Sequence, residues 1–445
     1  MKTVSLVLAA FALLSSPYHT SGVFAAEPAK TFDSYLKAAV AGDPDAAREV
    51  GLRYQKGDGV EKNLDEAARW LSSVGSGRSY RALGDLYRLE FNNMSVALKW
   101  YRKASELGDP VACRYLGDAY LSGVHVLQDP AEAVKWYELA AKELPEVTSV
   151  LADLYEEGKV VPMDYSRMLK WLENGVQRND PTATFKFAKR LRQRDPERAM
   201  ALFMKAAELG NVDSLSAIAS MHLDGDGVPR DFPEAIRWYQ SAAEKGDVKA
   251  YTQLGLAYES LSPPDHQAAL EWYKKAAAKG DIAAVRNIAL MYRNGIGVRQ
   301  DAKAAISWYE RAAEHGDVDA MTAIAVMYQD GLGVKRSYSD AGLWFERAAA
   351  AGDASSNLSL AVLFARGDGV NRDLDLAVDL AELAIRKDER AKVSLQFGWE
   401  NWPSEFLKAF QVRLVERGHY KGPVDGRYGP LTIWAIDSLH SSATP

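Results

Sequence analysis

Only one cysteine and seven histidines occur among the 445 residues of the chain. The lone Cys113 cannot close an intramolecular disulfide, so the folded state has to be held by packing rather than by cross-links. It sits in Val111-Ala112-Cys113-Arg114-Tyr115-Leu116, where a small apolar residue would face a neighbouring helix. The histidines are His19, His125, His222, His266, His315, His419 and His440. No two are three or four residues apart, the spacing that sets two ligands on one helix face, so a helical zinc motif is missing. A nucleophile elbow of the form G-x-S-x-G is also missing, and the cysteine has no histidine nearby. No catalytic residue, cofactor site or metal site is therefore expected. Positive charge is in the minority, with 54 Lys and Arg against 60 Asp and Glu for a net charge of −6. That balance argues against a broad nucleic-acid surface, because phosphate attracts a basic face.

Long apolar runs are absent beyond the N-terminus, so no transmembrane segment is expected in the body of the chain. Near the start, Met1 and Lys2 precede an uncharged apolar stretch from Val4 to Leu14. A helix of that length rises about 16 Å, roughly half of a bilayer's hydrocarbon core. Val23-Phe24-Ala25 then places small residues at the −3 and −1 positions of a cleavage site. Residues 1–25 read as a secretory signal peptide cleaved near Ala25. The expected location is periplasmic, and the want of a cysteine near the cut argues against a lipoprotein.

What the chain has in abundance is tryptophan, eleven in all. Eight of them, Trp70, Trp100, Trp136, Trp171, Trp238, Trp272, Trp308 and Trp344, recur at a nearly constant interval. Phe203 fills the one long gap, and Leu380 falls one interval after Trp344. A fixed period of this length marks stacked repeats rather than compact domains. About ten units fit between roughly residue 43 and residue 388.

Each unit reads as two short helices, as residues 281–316 illustrate. Ala284, Ile288, Met291 and Tyr292 recur at helical spacing, and Gly295-Ile296-Gly297-Val298 ends that helix. Asp301 opens a second helix as its N-cap, and Gly316 closes it. Seven residues before the tryptophan position stand Asn63, Asp129, Asp164, Asp231, Asp301, Ser337 and Asp373, all able to accept from a free helix N–H. Asp43-Pro44, Asp109-Pro110 and Asp180-Pro181 suit first-helix starts. Counting from the second-helix cap, Ala at +4, Trp at +7 and Ala at +11 share one face, which assigns the tryptophans to repeat packing. The recurrent Gly-Asp-Gly triplets at 57, 225 and 367 are helix-ending turns, and the basic stretch Lys186 to Arg198 reads as a solvated helix face.

The pattern A-x-x-L/I-G/A-x-x-Y, G-x-G-V, then A-x-x-W-Y-x-x-A-A-x-x-G-D resembles the Sel-one-like repeat, a tetratricopeptide-like family. Ala250 to Tyr258, Gly295 to Val298 and Ala305 to Asp317 carry its clearest copies. The resemblance implies an all-α, right-handed α-solenoid of about ten helix-turn-helix repeats over residues 31–390. The units around Trp100, Phe203 and Trp272 lack G-x-G-V. Their connections are either sites of binding specificity or drifted surface loops.

Past Arg390 the period stops. Ser404 to Arg417 reads as a helix, followed by a turn-rich stretch from Gly418 to Gly429 and a helix from Pro430. The string from Phe410 to Thr432, F-Q-x-x-L-x-x-x-G-H-Y-x-G-P-V-D-G-x-Y-G-P-x-T, resembles a small helical peptidoglycan-binding domain of cell-wall hydrolases. Residues 391–445 are thus expected to form a small helical C-terminal module. Either part of Ala391–Trp402 completes it, or it is truncated. The resemblance implies Tyr420, Asp425, Arg427, Tyr428 and Thr432 as candidate glycan contacts; the alternative is that Asp425-Gly426 makes a turn and Tyr428 packs between helices.

Together these readings lead to a non-enzymatic exported scaffold. Its expected partners are envelope proteins of unknown identity, with peptidoglycan as a further partner of the C-terminal module. A wall-binding accessory that recruits a wall-modifying enzyme, or a scaffold of exopolysaccharide secretion, are the alternatives.

Overall fold

The computed structural model describes residues 31–397 and 402–442. The signal-peptide reading of residues 1–25, and Trp399 at the expected change of register, lie outside the described residues. Those residues form 24 α-helices and no strand. They fall into two compact units that part after Arg178. In the first, helix Phe32–Val40 packs on Pro44–Lys56 and four helix pairs follow. The second contains six helix pairs and then the helices Glu389–Phe397, Ser404–Glu416 and Pro430–Ser441. The fold class is all-α and of the solenoid-repeat type, with ten helix pairs in total.

Helix starts are set by side-chain caps in every pair. All seven expected second-helix caps accept a backbone N–H, for instance Asp301 from Ala304 at 3.0 Å. Asn93, Asp195 and Asp265 do the same in the units without G-x-G-V. Each such cap contributes about 1 kcal/mol. Asp195 also corrects the register of its unit. Seven residues on stands Leu202, so Phe203 occupies the position after the tryptophan and is not the tryptophan's replacement.

That next position, eight residues after the cap, is the centre of each repeat. It holds Leu71, Tyr101, Tyr137, Leu172, Phe203, Tyr239, Tyr273, Tyr309, Phe345 and Ala381, every one almost fully buried. The small residues four and eleven after the cap, such as Ala305 and Ala312, bring the helices close around it. The eight tryptophans are half-buried beside this axis and pack against the cores from its rim. In four repeats a cation three residues later covers the outer face of the indole. These are Lys103 over Trp100 at 4.4 Å, Lys275 over Trp272 at 3.7 Å, Arg311 over Trp308 at 4.2 Å and Arg347 over Trp344 at 4.4 Å.

The G-x-G turn has two separate uses. Gly295 adopts the left-handed conformation that ends its helix. Gly297 instead meets the preceding repeat, where a Cβ would fall 2.6 Å from Cβ of His266, the first residue of that repeat's second helix. Gly333 stands in the same relation to Ala302. First-helix caps add a polar tie between neighbours. Asp281 caps its own helix and accepts from the Thr252 hydroxyl of the repeat before at 2.7 Å, and Asp247 accepts from Ser216 at 2.5 Å.

Candidate functional site

The C-terminal helices are built onto the last repeat. Phe406, Phe410, Leu414, Ala435, Ile436 and Leu439 form one continuous apolar cluster with Ala377, Val378, Ala381 and Ile385 of helix Leu374–Lys387. Helix Glu389–Phe397 buries Ala391 and Leu395 in that cluster, and Trp402 stacks on Phe406 at 4.2 Å. The packing does not break at residue 390, the expected module boundary.

Charges reinforce the junction. Glu382, itself buried, lies 3.0 Å from Arg386, 3.4 Å from Arg413 and 3.4 Å from Arg417, while Arg413 also pairs with Asp379. An isolated buried carboxylate would be costly, and three guanidinium groups compensate it. His440 donates from Nδ1 to the Ile385 carbonyl at 2.6 Å, with Nε2 2.9 Å from Glu389. Lys392 reaches Asp437 at 3.2 Å.

The turn-rich stretch is organised by Gln411, which is wholly buried on helix Ser404–Glu416. Its Oε1 accepts the Gly426 N–H at 2.8 Å, and its Nε2 donates to the Arg427 carbonyl at 3.0 Å. The same amide nitrogen faces Tyr420 Oη and Asp425 Oδ1 at 3.3 Å and Thr432 Oγ1 at 3.4 Å. One side chain thus gathers four of the five candidate glycan residues: Tyr420, Asp425, Arg427 and Thr432. Gln411 stands in the F-Q dipeptide of the sequence string, which is the signal that could have singled it out.

The five candidates do not share one surface. Tyr420 and Thr432 are buried, and the Tyr420 hydroxyl donates to the Pro423 carbonyl at 2.9 Å. Their place is in the interior of the turn, where they hydrogen-bond to its backbone and to Gln411. Tyr428 is half-buried against the apolar cluster, and burial raises its phenol pKa well above the ordinary value. Asp425 and Arg427 are exposed. The Asp425 carboxylate accepts the Arg427 N–H at 2.9 Å, and this bond, with the Gln411 amide, holds its pKa below the usual carboxylate range. Trp434 lies on helix Pro430–Ser441. It is 60% exposed, with Leu431 beside it at 55%.

On the repeats, the connections without G-x-G-V are closed by their caps. Arg192, in the basic stretch, pairs with Asp224 at 2.7 Å and Asp226 at 3.0 Å. Exposed apolar side chains cluster in sequence elsewhere, at Val124 and Leu127 and again at Met163 and Tyr165. Among the described residues no three His, Cys, Asp or Glu side chains converge as a metal site. No described helix is long and apolar enough to cross a membrane.

The sequence model of the Sel1 repeat matches nine segments: 44–73, 78–109, 110–143, 191–211, 212–247, 248–281, 282–317, 318–353 and 354–389. A protective antigen of uropathogenic Escherichia coli with an SLR fold superposes with a TM-score of 0.64 at 24% identity. That match covers 93% of this chain and 94% of that one, and it speaks to the fold. An uncharacterised protein of Neisseria meningitidis serogroup B is 27% identical over 226 residues, 50% of this chain and 48% of that protein. Human protein sel-1 homolog 2 is 27% identical over 216 residues, 47% of this chain and 28% of that protein. The matched stretch thus spans about half or less of these curated relatives.

Proposed function

We propose, from the premise that this chain belongs to the Sel1 repeat family, that it is a non-enzymatic scaffold of the bacterial cell envelope. Sel1 repeat proteins generally mediate protein–protein interactions, and the repeat fold is typically a non-enzymatic scaffold. The observation that carries the reading is that most of the described residues serve repeat packing, as four helix pairs in the first unit and six in the second. Within each unit the capped helix pairs present a surface for protein partners, and repeat stacking keeps such a surface in shape.

Export is supported by the Val4–Leu14 run and the Ala25 site. Contact with peptidoglycan is supported by the motif from Phe410 to Thr432 and by the exposed Asp425 and Arg427. The protein so placed is periplasmic, with its C-terminal module against the wall and its repeats free for an envelope partner. Osmotic-shock fractionation with N-terminal sequencing tests the location, the expected product starting at Ala26. Recovery in the cytoplasm with Met1 retained sinks it. Pelleting of the protein with purified sacculi tests wall contact.

A further inference from the structure

We infer that three consecutive helix–helix turns of the first unit form the edge through which the chain pairs with a second copy of itself. The inference concerns the repeats alone and stands apart from the wall contact proposed above.

The turns join Gly77–Leu89 to Met94–Glu106, Pro110–Ser122 to Pro130–Ala140, and Val147–Glu157 to Tyr165–Gln177. Each carries two exposed large apolar side chains, Leu89 and Phe91, then Val124 and Leu127, then Met163 and Tyr165. The helix pairs stack through shared cores, so their turns follow one another along one edge. Met94, just after the first turn, and Val126, within the second, pack on the same cluster. Tyr120 and Leu154, on the helices that lead into the second and third turns, share the next.

Other turns of the chain hold polar residues at these positions. Leu127 is 90% exposed and stands two residues before its cap, where Glu61, Arg299 and Lys335 stand in other repeats. Met163 is 74% exposed and directly precedes its cap, where Lys62, Arg230 and Arg372 stand. Among the described residues of the second unit, Leu332 is the one large apolar side chain exposed at such a turn. The apolar edge is therefore a property of three neighbouring turns. Clustered exposure of this kind marks an interaction surface.

Area, charge and shape select a second copy as the occupant. Six side chains that each expose on the order of 100 Å² come near the size of a stable interface, about 800 Å² on each partner. The two ends of the edge are alike. Each has an apolar pair and one ion pair, Lys62 with Glu90 at 2.8 Å and Lys159 with Glu157 at 3.4 Å. A twofold axis through the middle turn sets each end against its counterpart. The middle turn, Val124 to Gln128, contains no Lys, Arg, Asp or Glu, so the axis brings no like charges together. Beside Leu127 opens a depression of about 610 Å³ walled by Arg102, Tyr120, Val126, Asp129, Glu132 and Trp136. Its charged groups are already engaged, Arg102 with the Tyr120 hydroxyl, Glu132 with Lys135 and Asp129 with the helix start it caps. A knob next to its own hole is self-complementary, since the same rotation seats each Leu127 in the partner's depression. With its end charges paired, the edge has no cationic surplus to draw it onto anionic lipid.

Sedimentation velocity of the full-length protein over a micromolar concentration series tests the inference. Leu127→Glu and Met163→Lys are the variants, and Leu332→Glu, on a turn of the second unit, is the control. All three side chains are exposed, and circular dichroism with thermal melting checks that each variant is folded. The wild-type protein should sediment as a monomer–dimer equilibrium. Leu127→Glu should weaken pairing about a hundredfold, because both copies of the charge are buried at the axis, and Met163→Lys about tenfold. Leu332→Glu should leave pairing unchanged. A wild-type protein that stays monomeric throughout the series overturns the inference. A dimer that Leu127→Glu leaves intact places the interface elsewhere and overturns it as well. Flotation of a monomeric wild-type protein with phosphatidylglycerol–phosphatidylethanolamine vesicles, lost in Leu127→Glu, would give the edge to lipid instead.

Discussion

Gly84 lies flat against the ring of Tyr101, so close that a Cβ on the glycine would fall 2.6 Å from the ring's Cε1. The close approach lets the fully buried phenol donate to Asp85 Oδ1 at 2.8 Å while accepting from Arg88 Nε at 3.1 Å. Gly117 and Tyr137 repeat the arrangement one unit later, with Asp118 as acceptor at 2.7 Å. Gly84→Ala should therefore overpack the repeat and lower stability by about 1–3 kcal/mol. Urea denaturation of the variant checks this. Ala289 occupies the equivalent site opposite Tyr309, so the cost at Gly84 comes from a ring held in place by Asp85 and Arg88.

The buried tyrosines set an alkaline limit. Burial raises the pKa of Tyr101, Tyr137, Tyr239, Tyr273 and Tyr309, that of Tyr239 to about 12. Unfolded tyrosine ionises near pH 10, so above that pH the unfolded chain has released protons that the folded chain retains. The stabilising effect is fully present below about pH 10 and is lost as pH rises toward 12 and beyond. Melting temperature should fall across that window, with the tyrosinate absorbance band appearing together with unfolding. Tyr239→Phe should flatten the fall.

The helix period, the caps and the family pattern were legible because they depend on local chemistry. The centre of each repeat was not. At 100° per residue, positions +7 and +8 lie about 50° on either side of the axis through the alanines at +4 and +11. Trp308 and Tyr309 are thus equivalent by periodicity, and the neighbouring repeat decides that Tyr309 goes inside. Phe203 was misplaced for a related reason, since its cap, Asp195, is hidden within a charged run.

Asp281 joins two repeats through separate oxygens, Oδ1 on its own helix start and Oδ2 on Thr252. Asp281→Ala removes both and should cost about 1–3 kcal/mol. Thr252→Val removes the tie alone and should cost less. A double-mutant cycle that gives full additivity would show that the tie carries no energy.

Because Phe410 belongs to the same apolar cluster as Ala377 and Ile385, its loss should be felt on both sides of residue 390. Phe410→Ala should destabilise by about 3–5 kcal/mol. Hydrogen exchange should accelerate in Leu374–Lys387 as well as in Ser404–Glu416. Acceleration confined to the C-terminal helices would mark them as an independently folding module. The shared core also makes truncation near residue 392 a poor test of wall binding, since it strips the last repeat of its cover.

Gln411 offers a way to disturb the turn without touching any exposed contact. Gln411→Leu keeps the volume but removes the acceptor of the Gly426 N–H and the donor to the Arg427 carbonyl. Both groups stay in the interior of the turn, and each lost partner costs about 1–3 kcal/mol. Asp425 loses one of its hydrogen bonds as well, so its carboxylate pKa should rise toward the ordinary value. NMR titration of that carboxyl reports the change directly. The fixed projection of Arg427 depends on the same bonds, so binding to sacculi should weaken although Arg427 is intact. An unchanged Asp425 titration in Gln411→Leu would mean that the Arg427 N–H alone sets the turn, and binding should then be unaffected.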